Sequence, residues 1–269
     1  MTNQVEKKGS EIFRLDGRRA FISGAAGHLG AAMARGLGEA GAHVILNGRD
    51  AGKLEVFASA LQVEGISAET AAFDIMDTEA IKQTFGAMER LDIIVNNAYT
   101  GRPGALDTAT GEDFDVAFKS SVTASFEITR AAIPALERAV ADVGHASVIN
   151  ISTMYGQVSP DPGLYGASGL NSPPFYGPAK AGVTQLTRYL AAHLADKKIR
   201  VNSISPGPFP NPGIQAAKPD FITRLAAKTP LGRIAQPDEM KGAVIFLASD
   251  ASTFVTGINL PVDGGWTAW

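Results

Sequence analysis

The sequence predicts an α/β fold, a single doubly wound domain in which a seven-stranded parallel sheet is flanked by helices on both faces. Short apolar runs rich in valine and isoleucine alternate along the chain with longer amphipathic segments, and this alternation is typical of such sheets. The chain has 269 residues, enough for one large domain with a substantial core. No internal repeat and no linker interrupts the pattern, so we expect one domain.

Seven short runs are the candidate strands of this parallel sheet. In chain order they cover residues 20–23, 43–46, 69–73, 93–96, 147–151, 200–204 and 259–262. The segments between them carry apolar residues three or four apart, the period of a helix with one buried face. They cover residues 28–40, 53–63, 78–88, 112–141, 176–195 and 238–249.

Two long segments, residues 158–174 and 206–219, are rich in proline and glycine and have neither period. Such loops in a compact domain are mostly binding loops, lids or disordered segments. Each follows a predicted strand, where open α/β sheets bind ligands. Residues 1–15 are polar, without the apolar run of a signal peptide. We expect them to form a flexible N-terminal arm, followed by one domain at residues 16–269.

Composition argues against several classes of protein. The chain carries 24 Lys and Arg against 27 Asp and Glu, without a long run of either sign, so nucleic acid and membranes are not expected partners. It contains no cysteine, which excludes disulfides, thiolate metal sites and a cysteine nucleophile and fits a cytoplasmic protein. The four histidines are scattered, so no metal site is expected.

A glycine-rich turn joins the first predicted strand to the first predicted helix. It contains Gly24, Gly27, His28, Leu29 and Gly30. Glycines allow a tight turn here, let backbone N–H groups approach a pyrophosphate and leave the helix N-terminus open to negative charge. Many helices begin after glycine, and the turn is informative because it lies between a strand and a helix. We expect these five residues to bind a dinucleotide.

The end of the second predicted strand indicates which dinucleotide is bound. An acidic residue that would accept hydrogen bonds from the adenosine ribose is missing there, and Gly48 and Arg49 stand in its place. A guanidinium suits a 2′-phosphate and offers NAD(H) no comparable contact, so we expect NADP(H) to be favoured over NAD(H). The alternative is a solvated arginine in a turn.

A tyrosine and a lysine, Tyr176 and Lys180, stand four residues apart on a predicted helix and should share one face. A nearby ammonium favours the phenolate, so we expect Lys180 to lower the pKa of Tyr176 from about 10 toward working pH. Such a phenol can donate a proton to a developing alkoxide and take it back in reverse. The same pair also occurs on amphipathic helices without any chemical role.

Together these residues resemble the short-chain dehydrogenase/reductase family, from about Leu15 to Trp266, and the resemblance implies a Rossmann-type domain. The likeness extends to further motifs in the family's order. They are Asp74 after the third strand, Asn96-Asn97-Ala98 after the fourth, Arg200-Val201-Asn202 leading to Pro206-Gly207, and Thr256-Gly257 with Val262-Asp263-Gly264-Gly265 near the C-terminus.

The resemblance implies a role for each motif. Tyr176 would be the acid/base, and Lys180 would bind the nicotinamide ribose and lower the tyrosine pKa. A serine on the preceding strand would hold the substrate carbonyl, and an asparagine on the long middle helix would support a proton relay through water. The other expected cofactor contacts are Asp74 and Ile75 near the adenine, Asn97 and Ala98 after the fourth strand, and Pro206 and Gly207 near the nicotinamide.

The sequence departs from the family pattern at four positions. His28 stands where the central glycine of the turn is usual, and Tyr99 replaces a glycine after the fourth strand. The catalytic serine position falls on Thr153, with Ser152 adjacent, and the relay asparagine position falls on Ser121. Threonine offers the same hydroxyl as serine. Ser121 has no amide, so it is either a relay residue that needs another water or a structural helix residue.

We therefore expect an oxidoreductase that transfers a hydride reversibly between NADP(H) and a carbonyl or secondary alcohol. The glycine- and proline-rich segment 158–174 suggests a hydroxylated or sugar-like substrate. Two alternatives remain open: a binding protein that senses NADP(H) without turnover, and an epimerase or dehydratase that retains its nicotinamide. The resemblance also implies a homo-oligomer, a tetramer or a dimer.

Overall fold

The computed structural model describes residues 8–269, and it confirms the doubly wound α/β fold. All seven strands are parallel and follow the order β3-β2-β1-β4-β5-β6-β7 across one sheet. The strands are β1 (Arg19–Ile22), β2 (His43–Gly48), β3 (Ala68–Ala72), β4 (Ile93–Asn96), β5 (Ala146–Ile151), β6 (Ile199–Pro206) and β7 (Asn259–Val262).

Ten α-helices lie within residues 8–269. They are α1 (His28–Glu39), α2 (Ala51–Val63), α3 (Thr78–Gly86), α4 (Gly111–Phe118), α5 (Ala124–Val143), α6 (Pro162–Tyr165), α7 (Tyr176–His193), α8 (Pro212–Ala217), α9 (Pro219–Lys228) and α10 (Met240–Ala248). None of them combines the length and apolar character that a membrane crossing requires.

The sheet buries two apolar layers because successive side chains of a strand point to opposite faces. In β1, Ile22 packs into a cluster with α1, α2 and α10, whereas Phe21 packs into a cluster with α3, α5 and α7. Every residue of β4, β5 and β6 is buried. Their polar residues are buried as well and form hydrogen bonds, such as Asn150 Nδ2 to Thr187 Oγ1 at 2.9 Å.

The order of the strands creates a crevice beside β1. The chain runs from β1 outward to β2 and β3, then returns to place β4 on the other side of β1. The connections that leave the carboxyl ends of β1 and β4 therefore diverge, and ligands bind at such a point in open α/β sheets.

The predicted helix 112–141 is interrupted by a π-helical segment, Lys119–Thr123, between α4 and α5. Hydroxyls repeatedly bond to carbonyls one turn earlier along this stretch: Ser121 Oγ donates to Ala117 O, Ser125 Oγ to Ser121 O at 2.6 Å, and Thr129 Oγ1 to Ser125 O at 2.7 Å. Such side-chain bonds compete with the regular helical pattern and can bend a helix.

The prediction of an aperiodic loop over residues 206–219 is wrong for its second half. There α8 begins after Asn211, whose side chain accepts a hydrogen bond from Ile214 N at 3.0 Å. Proline at the first helical position follows, because a helix needs no N–H donor there. The next helix, α9, was not predicted, and it buries only Phe221 and Leu225.

The N-terminal prediction is only partly within reach of the structure, because residues 1–7 lie outside the described range. After them, Glu11–Phe13 form one 3₁₀ turn. Leu15 is buried, and its N–H donates to Ala40 O at 2.8 Å, which joins it to the end of α1. The boundary at residue 16 stays a prediction.

Candidate active site

A cleft of about 480 Å³ opens at the carboxyl ends of the central strands. Every residue expected to bind the cofactor lines it, as do two of the three further residues expected near the reacting groups. These are Gly24, Gly27, His28, Leu29, Gly30, Arg49, Asp74, Ile75, Asn97, Ala98, Thr153, Tyr176, Lys180, Pro206 and Gly207, together with Ser152. The exception is Ser121. Neither this cleft nor any other part of residues 8–269 gathers three or more His, Cys, Asp or Glu side chains fit to hold a metal ion.

Two glycines of the turn are required by its geometry, Gly24 by its backbone conformation and Gly30 by its close packing. Gly24 has a φ of +64°, which favours glycine. A Cβ on Gly30 would lie 2.1 Å from the Gly24 carbonyl oxygen and 2.9 Å from Asn97 Nδ2. Asn97 Nδ2 donates to Ser23 O at 2.9 Å, and Ser23 Oγ accepts from the N–H groups of Asn97 and Ala98 at 3.0 Å. These bonds tie the turn to the end of β4.

The N-terminus of α1 points into the cleft without a side-chain cap. Its N-cap residue is Gly27, and no side chain accepts a hydrogen bond from the first turn. The unpaired N–H groups and the helix dipole together favour an anion at such a helix end. This part of the cleft fits the pyrophosphate of a dinucleotide.

The ends of β2 and β3 form the other side of the cleft. Arg49 is exposed and makes no hydrogen bond or ion pair with any residue of the described range. Asp74 Oδ1 accepts from Met76 N at 2.9 Å, which orients the carboxylate at the edge of the cleft. Asn47 was not predicted as a residue of this site. Its Nδ2 donates to Ala71 O at 2.9 Å and thereby fixes β2 against β3. The sequence signal for Asn47 is a polar residue directly after the apolar run of a strand.

Lys180 is buried, with 3% of its surface exposed. Its Nζ donates to Ile151 O at 2.7 Å and lies 5.4 Å from the centroid of the Tyr99 ring. Burial lowers the pKa of Lys180 to about 8, because desolvation disfavours the ammonium. At neutral pH the side chain still carries its charge, but it loses that charge within a moderately alkaline range.

Tyr176 is partly buried, and its environment corrects one expectation. Burial raises the pKa of the phenol above its ordinary value of 10, whereas a hydrogen-bonding contribution from Thr153 lowers it by less. The expected net lowering by Lys180 is therefore wrong for this structure. The physical reason is that desolvation penalises the phenolate more strongly than the neighbouring groups stabilise it.

Thr153 and Ser152 differ in what their hydroxyls contact. Ser152 Oγ donates to Lys180 O at 2.8 Å and lies 2.9 Å from Thr184 Oγ1, so it is bonded to α7. Thr153 is the hydroxyl that acts on Tyr176. Adjacent residues at a strand end point in opposite directions, and only one of the two hydroxyls remains available beside the phenol. The geometry favours Thr153 over Ser152 as the donor to a substrate carbonyl.

Ser121, expected as a relay residue, does not line the cleft. It is buried in the π-helical segment, and its Oγ donates to Ala117 O. The serine side chain is shorter than that of asparagine, and its single donor is already used within the helix. The structure thus separates Ser121 from the groups it was expected to join.

A second cavity of about 780 Å³ adjoins the cleft, and Tyr99 and Tyr176 line both. Its other polar walls include Tyr155, Tyr165 and Arg102. The Arg102 guanidinium is held by both oxygens of Asp113, each at 2.5 Å. Glycine, proline, alanine and leucine residues form much of the remaining lining, and the tyrosines supply neutral hydroxyl groups beside Tyr176.

Segment 158–174 forms one wall of the second cavity and is anchored to the body of the protein. Arg224 of α9 donates through Nε to Leu164 O at 2.7 Å, and Lys228 Nζ bonds Asp161 Oδ2 at 3.1 Å. A small apolar cluster, here called the C-terminal cluster, completes the contact. Its buried members are Met154, Leu164, Tyr165, Phe221, Leu225 and Trp266.

Comparison with known proteins yields one family and many relatives. A family model described as Enoyl-(Acyl carrier protein) reductase matches residues 24–267. Gluconate 5-dehydrogenase of Gluconobacter oxydans is 34% identical over 263 residues, covering 96% of this chain and 97% of its own. Cis-4-hydroxycyclohexanecarboxylate dehydrogenase of Sinomonas cyclohexanicum is 35% identical over 257 residues, covering 93% of this chain and 97% of its own.

Among solved structures, a gluconate 5-dehydrogenase from Burkholderia cenocepacia in complex with NADP and tartrate superposes with a TM-score of 0.85. It is 33% identical and covers 97% of this chain and 100% of its own.

Proposed function

Because the chain belongs to the short-chain dehydrogenase/reductase family, we propose that it transfers a hydride between NADP(H) and a hydroxylated or sugar-like carbonyl compound. It is an oxidoreductase acting on CH–OH groups, as the family and its relatives indicate. One observation supports the proposed transfer between NADP(H) and a hydroxylated or sugar-like carbonyl compound. Tyr176 lies where the two cavities meet, so one phenol faces both a cofactor site and a substrate site.

The first cavity suits a dinucleotide because backbone N–H groups of the glycine-rich turn and of α1 are open to a ligand. Gly30 leaves no room for a Cβ, Gly24 has a positive φ that favours glycine, and the first turn of α1 has no side-chain cap. Residues of the turn would hold the pyrophosphate, and Lys180 would reach the nicotinamide ribose. The bound nicotinamide supplies or accepts the hydride.

The proton is handled by side chains of this protein. In carbonyl reduction, Tyr176 donates its phenolic proton to the substrate oxygen as negative charge develops there, and in alcohol oxidation the phenolate takes it back. The raised pKa of Tyr176 keeps the phenol protonated at neutral pH, which suits reduction. Thr153 would donate a hydrogen bond to the same oxygen, and the Lys180 ammonium would favour the phenolate in the reverse direction.

Arg49 supports a preference for NADP(H), and so does the NADP bound to the related gluconate 5-dehydrogenase. Arg49→Ala should weaken NADPH binding about tenfold and leave NADH binding nearly unchanged, because only the former carries a 2′-phosphate. A charge-assisted bond from an exposed guanidinium falls at the lower end of its usual range, since water screens it. Fluorescence titration with both cofactors measures the effect.

The matched control is Arg188→Ala, which removes an exposed arginine on α7 that bonds Gln185. It should not change either affinity. Equal affinity of the unmodified protein for NADPH and NADH would contradict the proposed preference.

Thr153 and Ser152 provide a test of the carbonyl donor. Thr153→Val keeps the side-chain shape and removes the hydroxyl, so turnover should fall about tenfold, the effect of one neutral hydrogen bond. Thr153→Ser should keep most of the activity. Ser152→Ala should act mainly on stability, because its hydroxyl bonds α7. Steady-state rates and thermal unfolding of the three variants decide the matter, and the reverse ranking would assign the donor role to Ser152.

The second cavity supports a hydroxylated or sugar-like substrate. Neutral phenols of Tyr155 and Tyr165 can exchange hydrogen bonds with several hydroxyl groups of one ligand. A screen of NADPH oxidation against ketones, keto-sugars and hydroxylated ring ketones, each as a neutral and a carboxylated member, tests this class. Turnover also separates the proposal from its alternative, a protein that senses NADP(H) without reaction. A homo-oligomeric state and a cytoplasmic location remain predictions.

A further inference from the structure

Tyr99 occupies an unexpected place in the cleft. It directly follows Asn97 and Ala98, where the family pattern has glycine, and it lines both cavities. Its ring contacts the side chains of both proposed proton-handling residues. The Tyr176 ring meets it edge to face, with centroids 5.1 Å apart and planes inclined at 66°. The Lys180 Nζ lies 5.4 Å from its centroid on the ring face.

The contact matters most for Lys180, because the ammonium is buried without an anionic partner. No carboxylate of residues 8–269 forms an ion pair with it, and its recorded polar contact is the Ile151 carbonyl. The face of an aromatic ring attracts a cation electrostatically, and the attraction strengthens when water is excluded. The Tyr99 ring is therefore a source of stabilisation for this charge that glycine could not provide.

The hydroxyl of Tyr99 lies in different surroundings from its ring. The oxygen is buried and has no hydrogen-bond partner among the described residues. It packs against Gly101, where a Cβ would lie 2.3 Å away from it. Burial raises the pKa of Tyr99 to about 12, so the phenol is neutral throughout an ordinary assay range. The ring, and not the hydroxyl, makes the contacts with Tyr176 and Lys180.

We propose that Tyr99 is a positioning residue whose ring keeps the Lys180 ammonium charged and holds the Tyr176 ring in place between the two cavities. Gly101 belongs to the same device, since only a residue without a side chain leaves room for Tyr99 in this position. Among the described residues, the titratable group placed against Lys180 is Tyr99 from the end of β4, and Tyr176 stands one turn earlier on the same helix. Asp113 acts on Tyr99 by raising its pKa. The inference rests on the proposed roles of Tyr176 and Lys180.

The test compares Tyr99→Phe, which keeps the ring, with Tyr99→Leu, which removes it. In Tyr99→Leu the pKa of Lys180 should fall by about 0.5 to 1 unit, the range of a cation–π contact expressed as a pKa shift. In Tyr99→Phe it should stay at the native value. The measurement is an NMR titration of protein labelled at the lysine ε-carbon, with the Lys180 signal assigned by its loss in Lys180→Met.

Turnover supplies the second readout. The alkaline limb of alcohol oxidation should move to lower pH in Tyr99→Leu by the same amount, because Lys180 loses its proton earlier. Gly101→Ala should produce a similar shift by displacing the ring, and it should add nothing in the Tyr99→Leu background. This second route protects the test if one variant folds poorly, and thermal unfolding of each variant reports that directly.

The two readouts separate this inference from the proposed function. An unchanged Lys180 pKa in both Tyr99→Leu and Gly101→Ala would overturn the positioning role, whatever the activity. A protein inactive toward every substrate in the screen would overturn the proposed reaction, while the NMR titration would still measure the contact between Tyr99 and Lys180.

Discussion

Tyr176→Phe should lower turnover by about a hundredfold or more, the usual contribution of one general acid/base, and leave NADPH binding near normal. The substitution deletes a single hydroxyl and keeps the ring that packs on Tyr99. Steady-state kinetics on a verified substrate and a fluorescence titration with NADPH measure the two quantities. Loss of turnover with retained binding is the combination that identifies a proton donor.

The pH profile gives an independent check, and its sign follows from the shifts. Oxidation needs the phenolate of Tyr176, whose pKa is raised, so the rate should climb with pH through neutrality. Lys180 has a pKa of about 8, so its support for the phenolate should fade above that pH. Reduction needs the protonated phenol and should be nearly flat at neutral pH. Rates in both directions across this range measure the profile.

Tyr189→Phe is the matched control, since Tyr189 lies on the same helix but is exposed and stacks on His193. It should not alter turnover. If Tyr176→Phe retained most of its activity, the proposed mechanism would not hold, and Tyr165, which bonds the Tyr155 hydroxyl at 3.3 Å, would be the next phenol to examine.

Gly30→Ala should weaken NADPH binding by about a hundredfold, the second-largest effect expected. The added methyl group would lie 2.1 Å from the Gly24 carbonyl oxygen, and a backbone atom cannot move aside as a flexible side chain can. Relieving the overlap requires opening the turn, at a cost near 3 kcal/mol, the upper end of typical overpacking penalties. Titration with NADPH and thermal unfolding measure the losses in affinity and stability.

Gly242→Ala serves as its control. Gly242 is exposed within α10, and no atom lies within 4 Å of the position of an added Cβ. Alanine favours a helix over glycine by about 1 kcal/mol, so this variant should be slightly more stable and should bind NADPH normally. A G30A variant that matched the G242A variant in both measurements would show that the turn is not a tight cradle.

The strands could be predicted because a parallel sheet leaves a simple mark in the sequence. Runs such as 147–151 and 200–204 are short, contain valine and isoleucine, and are buried on both faces of the sheet. Helix α9 was not predicted; it buries only Phe221 and Leu225 and packs against segment 158–174, which contains α6, rather than on the sheet. The π-helical segment was not predicted for another reason: a single π-helical turn within a longer helix has no residue pattern of its own.

The cofactor side of the cleft was predictable from motif spacing, since each motif directly follows a strand of the sheet. The substrate side was not. The sequence could not choose between Thr153 and Ser152, because the choice depends on which hydroxyl bonds α7. The family pattern predicts Ser121 near the reacting groups, but its short side chain bonds within its own helix. Tyr99 departs from the family pattern in the sequence, but its ring contacts with Tyr176 and Lys180 are visible only in the structure.

The C-terminal cluster has a practical consequence for redesign. Segment 158–174 forms a wall of the second cavity, but its apolar side chains pack against α9 and Trp266, which lies more than 90 positions further along the chain. Exchanging that segment alone for one from a relative would leave mismatched surfaces beneath it. A change of substrate preference by grafting would therefore have to transfer three separate stretches together: the segment, α9 and the C-terminal turn around Trp266.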